Sequence, residues 1–202
     1  MKYIVTIVIV LAVLIAGAFL YAWSGMYNIA ATKPHWSLTS SVIDMVRDRS
    51  IEAYSQDIQR AGPGGSELKD TFFSHYHGMC RLCHGAPGHR PEEFAMGLYP
   101  QPPEMTSGEI QTEFSETEIY WIVEHGLKLT GMPAFGPSHD EEDLWGLATL
   151  AGAMPGMSPE QYNQRVQRAG SHAGSGQSHE KPEGEAGSDH HGEGETEGHG
   201  ET

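Results

Sequence analysis

The residues best suited to chemistry are the only two cysteines of the chain and the histidine that follows them, in the run Cys80-Arg81-Leu82-Cys83-His84. Two thiols separated by two residues match the spacing of the two vinyl groups of haem, to which each can add as a thioether. The adjacent His84 then reaches the iron from one side of the ring. The motif therefore predicts one covalently bound haem c, held by Cys80 and Cys83, with His84 as proximal ligand.

Two other uses of paired cysteines fit the sequence less well. A structural zinc site needs two further ligands at zinc-finger spacing, and no such pair follows Cys83. A redox-active dithiol normally lies in a βαβ unit, and the sequence has no convincing strand pattern. Covalent haem is accordingly the favoured interpretation.

The ligand on the opposite face of the haem decides between electron transfer and the binding of small molecules. Met132 is the best candidate, because Gly131 before it lets the backbone approach a ring and Pro133 after it stiffens the loop. A thioether ligand favours Fe(II) and suits an electron carrier. His125 and His139, which flank this loop, are the alternative ligands.

Three helices are expected to position these side chains. Apolar residues at helical spacing predict one helix that leads into the motif: Leu68, Phe72, Tyr76 and Met79. Capping boxes predict the starts of two more, at Ser115 with Glu118 and at Ser138 with Glu141. Gly126 is expected to end the first of these two. Since a domain of about 95 residues buries little core by itself, the haem is expected to complete the core.

Residues 3–23 carry no charged side chain and predict a membrane-spanning helix. At about 1.5 Å per residue they reach roughly 31 Å, enough to cross the hydrocarbon core of a bilayer. Tyr3, Tyr21 and Trp23 fall at the two ends, where aromatic rings prefer to lie. A cleaved secretory signal is the alternative, but its site at residues 16–18 would fall inside the apolar run.

The segments on either side of the predicted haem domain differ in composition. Residues 24–63 are expected to form a partly helical connector, with Ser40 or Ser41 capping the helix and a break at residues 61–65. Residues 156–202 are expected to form a mostly disordered His/Glu/Gly-rich tail after a short helix from Ser158. This tail is either a solvated acidic extension or a weak, exchangeable binding site for Zn, Cu or Ni.

The net charge of −15 argues against nucleic acid as a partner, because phosphate binding needs a concentrated basic surface. Residues 61–155 hold 14 acidic and only 4 basic side chains. This acidity either maintains solubility or forms a docking surface for a basic partner.

The motif with the following Gly85-Ala86-Pro87-Gly88, the loop around Met132 and the run Leu144-Trp145-Gly146-Leu147-Ala148 resemble class I cytochromes c. The segment from Tyr27 to His35 is similar to the juxtamembrane segment of bacterial membrane-anchored monohaem cytochromes. The resemblance implies an all-α fold, with a domain at residues 64–155 around one haem, preceded by the anchor at residues 1–23. It also implies His84 and Met132 as the two axial ligands.

The resemblance implies a function as an electron carrier and not as an enzyme in its own right. Single electrons are expected to pass between membrane-bound respiratory partners on the periplasmic side of the bacterial inner membrane, because haem c is attached outside the cytoplasm in this family. A haem-based gas sensor, which needs a labile Met132, and a haem subunit of a larger oxidoreductase complex are the alternatives.

Overall fold

The apolar N-terminal run forms helix α1 (Lys2–Trp23), as its composition predicts. The computed structural model describes residues 1–59 and 68–173. In this part of the chain α1 is the one helix long and apolar enough to cross a membrane, with a mean hydropathy of 2.9. None of its side chains is buried against the other described residues, which leaves the surface of the helix free to contact lipid.

The connector contains helix α2 (Ser37–Ser55). The prediction that Ser40 or Ser41 caps this helix was wrong, since the helix begins earlier and Trp36 occupies the capping position. The Ser40 hydroxyl instead donates to the Ser37 carbonyl at 3.0 Å, inside the first turn. A serine that bonds back to a helix carbonyl no longer competes with the backbone, so the helix continues through it.

The helical run that leads into the motif is continuous but not uniform. Helix α3 (Asp70–His75) passes into a π-helical turn (Tyr76–Cys80) and then into α4 (Arg81–His84). The expected apolar face is present, with Phe72 and Tyr76 buried and Leu68 and Met79 partly exposed. Phe73 is buried as well, because α3 is covered on two sides.

The remaining helices are short, and their bounds are a 3₁₀ turn (Glu93–Gly97), α5 (Glu109–Glu113), α6 (Glu116–His125), α7 (Glu141–Ala153), a 3₁₀ turn (Met154–Gly156) and α8 (Pro159–Ala173). The described residues contain no strand, only an isolated bridge between Ala86 and His89. The predicted all-α fold is confirmed.

Two of the predicted helix boundaries were right and one was wrong. Ser115 and Glu118 form the expected capping box of α6, and Gly126 ends that helix. The expected cap at Ser138 is absent, because Asp140 accepts the Asp143 N–H at 2.9 Å and starts α7 two residues later. A carboxylate is favoured over a hydroxyl there, since the positive end of the helix dipole attracts its charge.

The core forms where α3 meets α7 and α8. Gly146 of α7 lies against the Phe72 ring, close enough that a β-carbon there would be 2.5 Å from ring atoms. On the other side Tyr162 of α8 is fully buried, with its ring 5.9 Å from that of Phe73. Arg165 pairs with Asp70 and lies 4.8 Å from the centre of the Phe73 ring.

Helical packing therefore continues past residue 155, where the haem domain was expected to end, and includes α8. The rest of the predicted tail, residues 174–202, and the predicted break at residues 61–65 lie outside the described residues.

Candidate haem site

The two cysteines lie three residues apart, with Cys80 at the end of the π turn and Cys83 in α4. Neither forms a disulfide, and Cys80 packs against the hydrophobic core. Arg81 between them donates to Glu92 at 3.0 Å, and the Glu92 N–H donates to the Leu82 carbonyl at 2.8 Å. These contacts hold the motif against the loop that follows it, and π turns of this kind are frequent at functional sites.

Burial keeps both sulfurs in the thiol form at neutral pH. Desolvation, with a smaller contribution from Cys83, raises the pKa of Cys80 to about 12. Burial also raises the pKa of Cys83. A zinc site requires thiolates, and in the described part of the chain no group of three or more His, Cys, Asp or Glu side chains is placed to hold a metal ion. The pair is suited to forming thioethers, in which each S–H adds across a vinyl double bond.

The imidazole of His84 has a defined tautomer. Its Nδ1 lies 2.9 Å from the carbonyl oxygen of Pro103, and because a carbonyl can only accept, Nδ1 carries the hydrogen. Burial lowers the pKa of His84, although the bond to Pro103 acts in the opposite direction. The ring is therefore neutral, with the lone pair of Nε2 free for an iron ligand bond.

Pro103 is a site residue that the motif analysis did not identify. Its carbonyl orients His84, and in return the His84 carbonyl accepts the Met105 N–H at 3.1 Å. The Pro102-Pro103 pair in the long loop after the motif is a sequence signal for a stiff backbone. It does not reveal which side chain the carbonyl meets.

The segment that follows the motif is hydrogen-bonded to the helical run that precedes the motif. The Tyr76 hydroxyl donates to the Gly85 carbonyl at 2.9 Å, and desolvation by burial raises the pKa of Tyr76. Gly85 has a φ of 66°, and a β-carbon there would lie 3.0 Å from the His89 carbonyl oxygen. Glycine is thus required immediately after the predicted iron ligand.

Met132 lies in a loop that folds back onto the end of α6. The Phe135 N–H donates to the Val123 carbonyl at 3.0 Å, and the Gly136 N–H donates to the Glu124 carbonyl at the same distance. Gly126 permits this return, because its φ is 65° and a β-carbon would lie 2.7 Å from the Ala134 nitrogen. The loop is thereby fixed to a helix end that otherwise has unpaired carbonyls.

The methionine itself is held by its neighbours. The Met132 N–H donates to the Thr130 hydroxyl oxygen at 3.0 Å, and its carbonyl accepts the Leu127 N–H at 3.2 Å. Its side chain is partly buried and packs against the same core cluster as Cys80. Gly131 lies close to the Leu98 side chain, where a β-carbon would be 3.0 Å from Cδ1. The Met132 loop and the loop after the motif therefore meet at Leu98.

The two alternative histidine ligands are engaged elsewhere through Nδ1. His125 is exposed, and its Nδ1 lies 3.1 Å from the Trp121 carbonyl oxygen. His139 has its Nδ1 3.0 Å from the Ser138 hydroxyl, and its ring lies 5.6 Å from that of Phe135. Both side chains keep Nε2, as His84 does, so His125 and His139 remain alternative ligands to Met132.

A cavity of about 620 Å³ borders the motif at Cys83. Its other walls come from the loop at residues 85–106, and neither His84 nor Met132 lines it. The structure thus brings Cys80, Cys83 and His84 together in one helical turn, and places Met132 in a separate loop on the same core. These donors fit a covalently held haem with a nitrogen and a sulfur ligand.

Residues 68–150 match the model of the family described as cytochrome c oxidase, cbb3-type, subunit III. The matched segment runs from just before α3 to near the end of α7 and includes the motif and Met132. No curated protein and no solved structure shows significant similarity to the chain. The match supports haem c binding and an electron-transfer role for this segment.

Proposed function

We propose that this chain, in which residues 68–150 form a class I cytochrome c domain, is a membrane-anchored carrier of single electrons. One haem c is attached through Cys80 and Cys83, with His84 and Met132 as its axial ligands. The observation that carries the proposal is the bond from His84 Nδ1 to Pro103, because it leaves Nε2 of a neutral imidazole beside two free thiols.

The residues of the chain have separate roles in this proposal. When bound, the haem supplies an iron that accepts and releases one electron. His84 keeps its proton on Nδ1 in both oxidation states, because the Pro103 carbonyl continues to accept it. The Met132 sulfur would fill the remaining position on the iron and favour Fe(II). The loop that carries Met132 is held against the protein at Leu98 and at Gly126.

Helix α1 anchors the chain in the bacterial inner membrane, with residues 24–202 in the periplasm. This side follows from haem attachment, which takes place outside the cytoplasm in class I cytochromes c. The anchor keeps the domain near membrane-bound respiratory complexes and raises its effective concentration there. The acidic surface of the domain favours a partner with a basic docking surface.

A second candidate function is that of the haem subunit of a larger oxidoreductase complex. The family match favours it, since that family is described as an oxidase subunit. Purification from native membranes in mild detergent separates the two: a subunit co-purifies with its complex in fixed proportion, whereas a carrier is released alone.

The main proposal is tested on full-length protein from a host that matures c-type cytochromes. Haem should stay on the chain through denaturation, and a redox titration should show one reversible one-electron step. The double variant Cys80→Ser/Cys83→Ser should lose the covalent haem, while Met96→Ala, at an exposed methionine, should keep it.

Two outcomes contradict the proposal. Haem that separates from the unsubstituted chain on denaturation excludes thioether attachment. Rapid binding of CO to the reduced protein at neutral pH shows a labile sixth ligand and favours the gas sensor.

A further inference from the structure

Helix α2 has two opposite faces with different surroundings. Its C-terminal half packs on α6, where the Tyr54 ring stacks on that of Trp121, and Ile51 in this half is 1% exposed. Arg47 on the same side bonds to Glu113 of α5 at 3.2 Å. On the other side four large apolar side chains are exposed to between 47% and 76%, and we call them the apolar stripe: Leu38, Val42, Met45 and Val46.

The spacing of the apolar stripe places it on one helical face. Its members recur at i, i+4, i+7 and i+8, the pattern of an amphipathic helix. With 3.6 residues per turn, the centre of the stripe lies roughly 180° around the helix from Ile51. The stripe therefore points away from the haem domain, and no described part of the chain covers it.

The beginning of α2 lies at the end of the membrane span. The Trp36 ring, at the capping position, lies 6.1 Å from the ring of Tyr21 and 5.6 Å from that of Tyr27. Tyr21 belongs to the last turn of α1, where aromatic rings mark the boundary between hydrocarbon and water. The apolar stripe thus begins next to the aromatic rings at the end of the proposed membrane span.

We propose that the apolar stripe of α2 lies in the interfacial layer of the bilayer, so that α2 is held between the membrane and the haem domain. The ionised side chains of the helix are nearly balanced: Asp44, Arg47, Asp48, Arg49 and Glu52. Binding therefore depends on apolar burial and not on anionic lipid, unlike that of a basic interfacial helix.

A second contact, apart from that of α2, joins the connector to the haem domain. The His35 N–H donates to the Tyr99 hydroxyl at 3.1 Å, and the two rings lie 5.1 Å apart. Tyr99 follows Leu98, the residue in contact with Gly131. The connector thus holds the domain at two places, through α2 and through His35, which fixes the domain relative to the helix that lies on the bilayer.

The test uses the full-length chain in nanodiscs of zwitterionic phosphatidylcholine. Nitroxide labels are placed at Val42→Cys and Val46→Cys, with Leu14→Cys in α1 as the lipid reference and Gln167→Cys on the exposed side of α8 as the water reference. Power saturation compares collision with O₂, which concentrates in lipid, and with a water-soluble nickel complex. The labelled unsubstituted protein supplies the baseline, and circular dichroism checks that each variant is folded.

Labels at Val42 and Val46 should show a ratio of O₂ to nickel collisions several-fold above that at Gln167 and close to that at Leu14. The ratio should be unchanged in nanodiscs that contain anionic phosphatidylglycerol. A ratio equal to that at Gln167 overturns the proposal, because the stripe is then in water. Shielding from both reagents also overturns it, since the stripe is then covered by protein, either a second copy or a partner helix.

Discussion

The Nδ1 atom of His84 donates to the carbonyl oxygen of Pro103, 2.9 Å away. Nineteen residues separate the two in the chain, and the contact joins the haem motif to the far end of the loop that follows it. It sets the tautomer of the imidazole and the direction in which Nε2 points. A backbone acceptor does this without a second titratable group, so the orientation of the ligand is independent of pH over the working range.

Replacement of the proposed sulfur ligand tests the sixth position. Met132→Ala should open that position and lower the reduction potential by on the order of 0.1 V, within the roughly 0.8 V range that axial ligands set. The reduced variant should bind CO, which the unsubstituted protein should not. Met96→Ala is the control, because Met96 is 74% exposed. An unaltered optical spectrum and reduction potential in Met132→Ala would exclude Met132 as the iron ligand and favour His125 or His139 instead.

Two glycines of α7 should respond in opposite ways to the same substitution. Gly146→Ala places a methyl 2.5 Å from the Phe72 ring, so overpacking should lower the free energy of unfolding by about 1–3 kcal/mol. Gly152→Ala meets nothing within 4 Å and should raise it by about 0.5–1 kcal/mol through the better helix propensity of alanine. Denaturant titration of both variants in detergent measures the difference, and equal effects would contradict the packing of α7 on α3.

The stability of the domain should fall as the pH decreases, because His77 then takes up a proton. Burial, with the nearby charges of Arg81 and His89, lowers the pKa of His77 below its ordinary value of 6.5. The unfolded chain then binds this proton more tightly than the folded chain does. The free energy of unfolding therefore has its full value above about pH 6.5 and falls as the pH decreases from there towards the lower pKa of the folded state.

His77→Asn keeps a polar group near the Tyr162 hydroxyl, which lies 3.2 Å from Nδ1. The unfolding free energy of this variant, measured from about pH 7 to about pH 5, should fall less steeply than that of the unsubstituted protein. Parallel curves for the two proteins over this range would show that His77 titrates normally.

The contact between the connector and the haem domain is open to a single-atom test. Tyr99→Phe removes the hydroxyl that accepts the His35 N–H, and the loss of one such bond costs about 1 kcal/mol. Hydrogen exchange at the His35 amide should therefore become roughly fivefold faster. Tyr54→Phe, at a tyrosine of α2 that stacks on Trp121, is the matched control and should leave the His35 rate as it is.

Features that depend on neighbouring residues were predictable from the sequence. The motif at residues 80–84 indicates haem attachment by itself, because the chemistry requires only the two thiols and the histidine at fixed spacing. The cap of α6 at Ser115 followed for the same reason, since its hydrogen bonds join residues three positions apart. The length and apolarity of α1 could likewise be predicted from consecutive residues in the sequence.

Features that depend on distant residues required the tertiary structure. The bond of His84 to Pro103 uses a backbone carbonyl, which every residue has and which no composition identifies. Likewise α8, with an unremarkable polar sequence, belongs to the core because Tyr162 fills the space beside Phe73.

The sequence alone thus predicted haem attachment at residues 80–84 and a segment able to span a membrane. The tertiary structure decided what orients the His84 imidazole, where the packed helices end and how the connector contacts the domain. The physical reason is that thioether spacing and helix capping are local, whereas packing and orientation arise from contacts between segments that are distant in the chain.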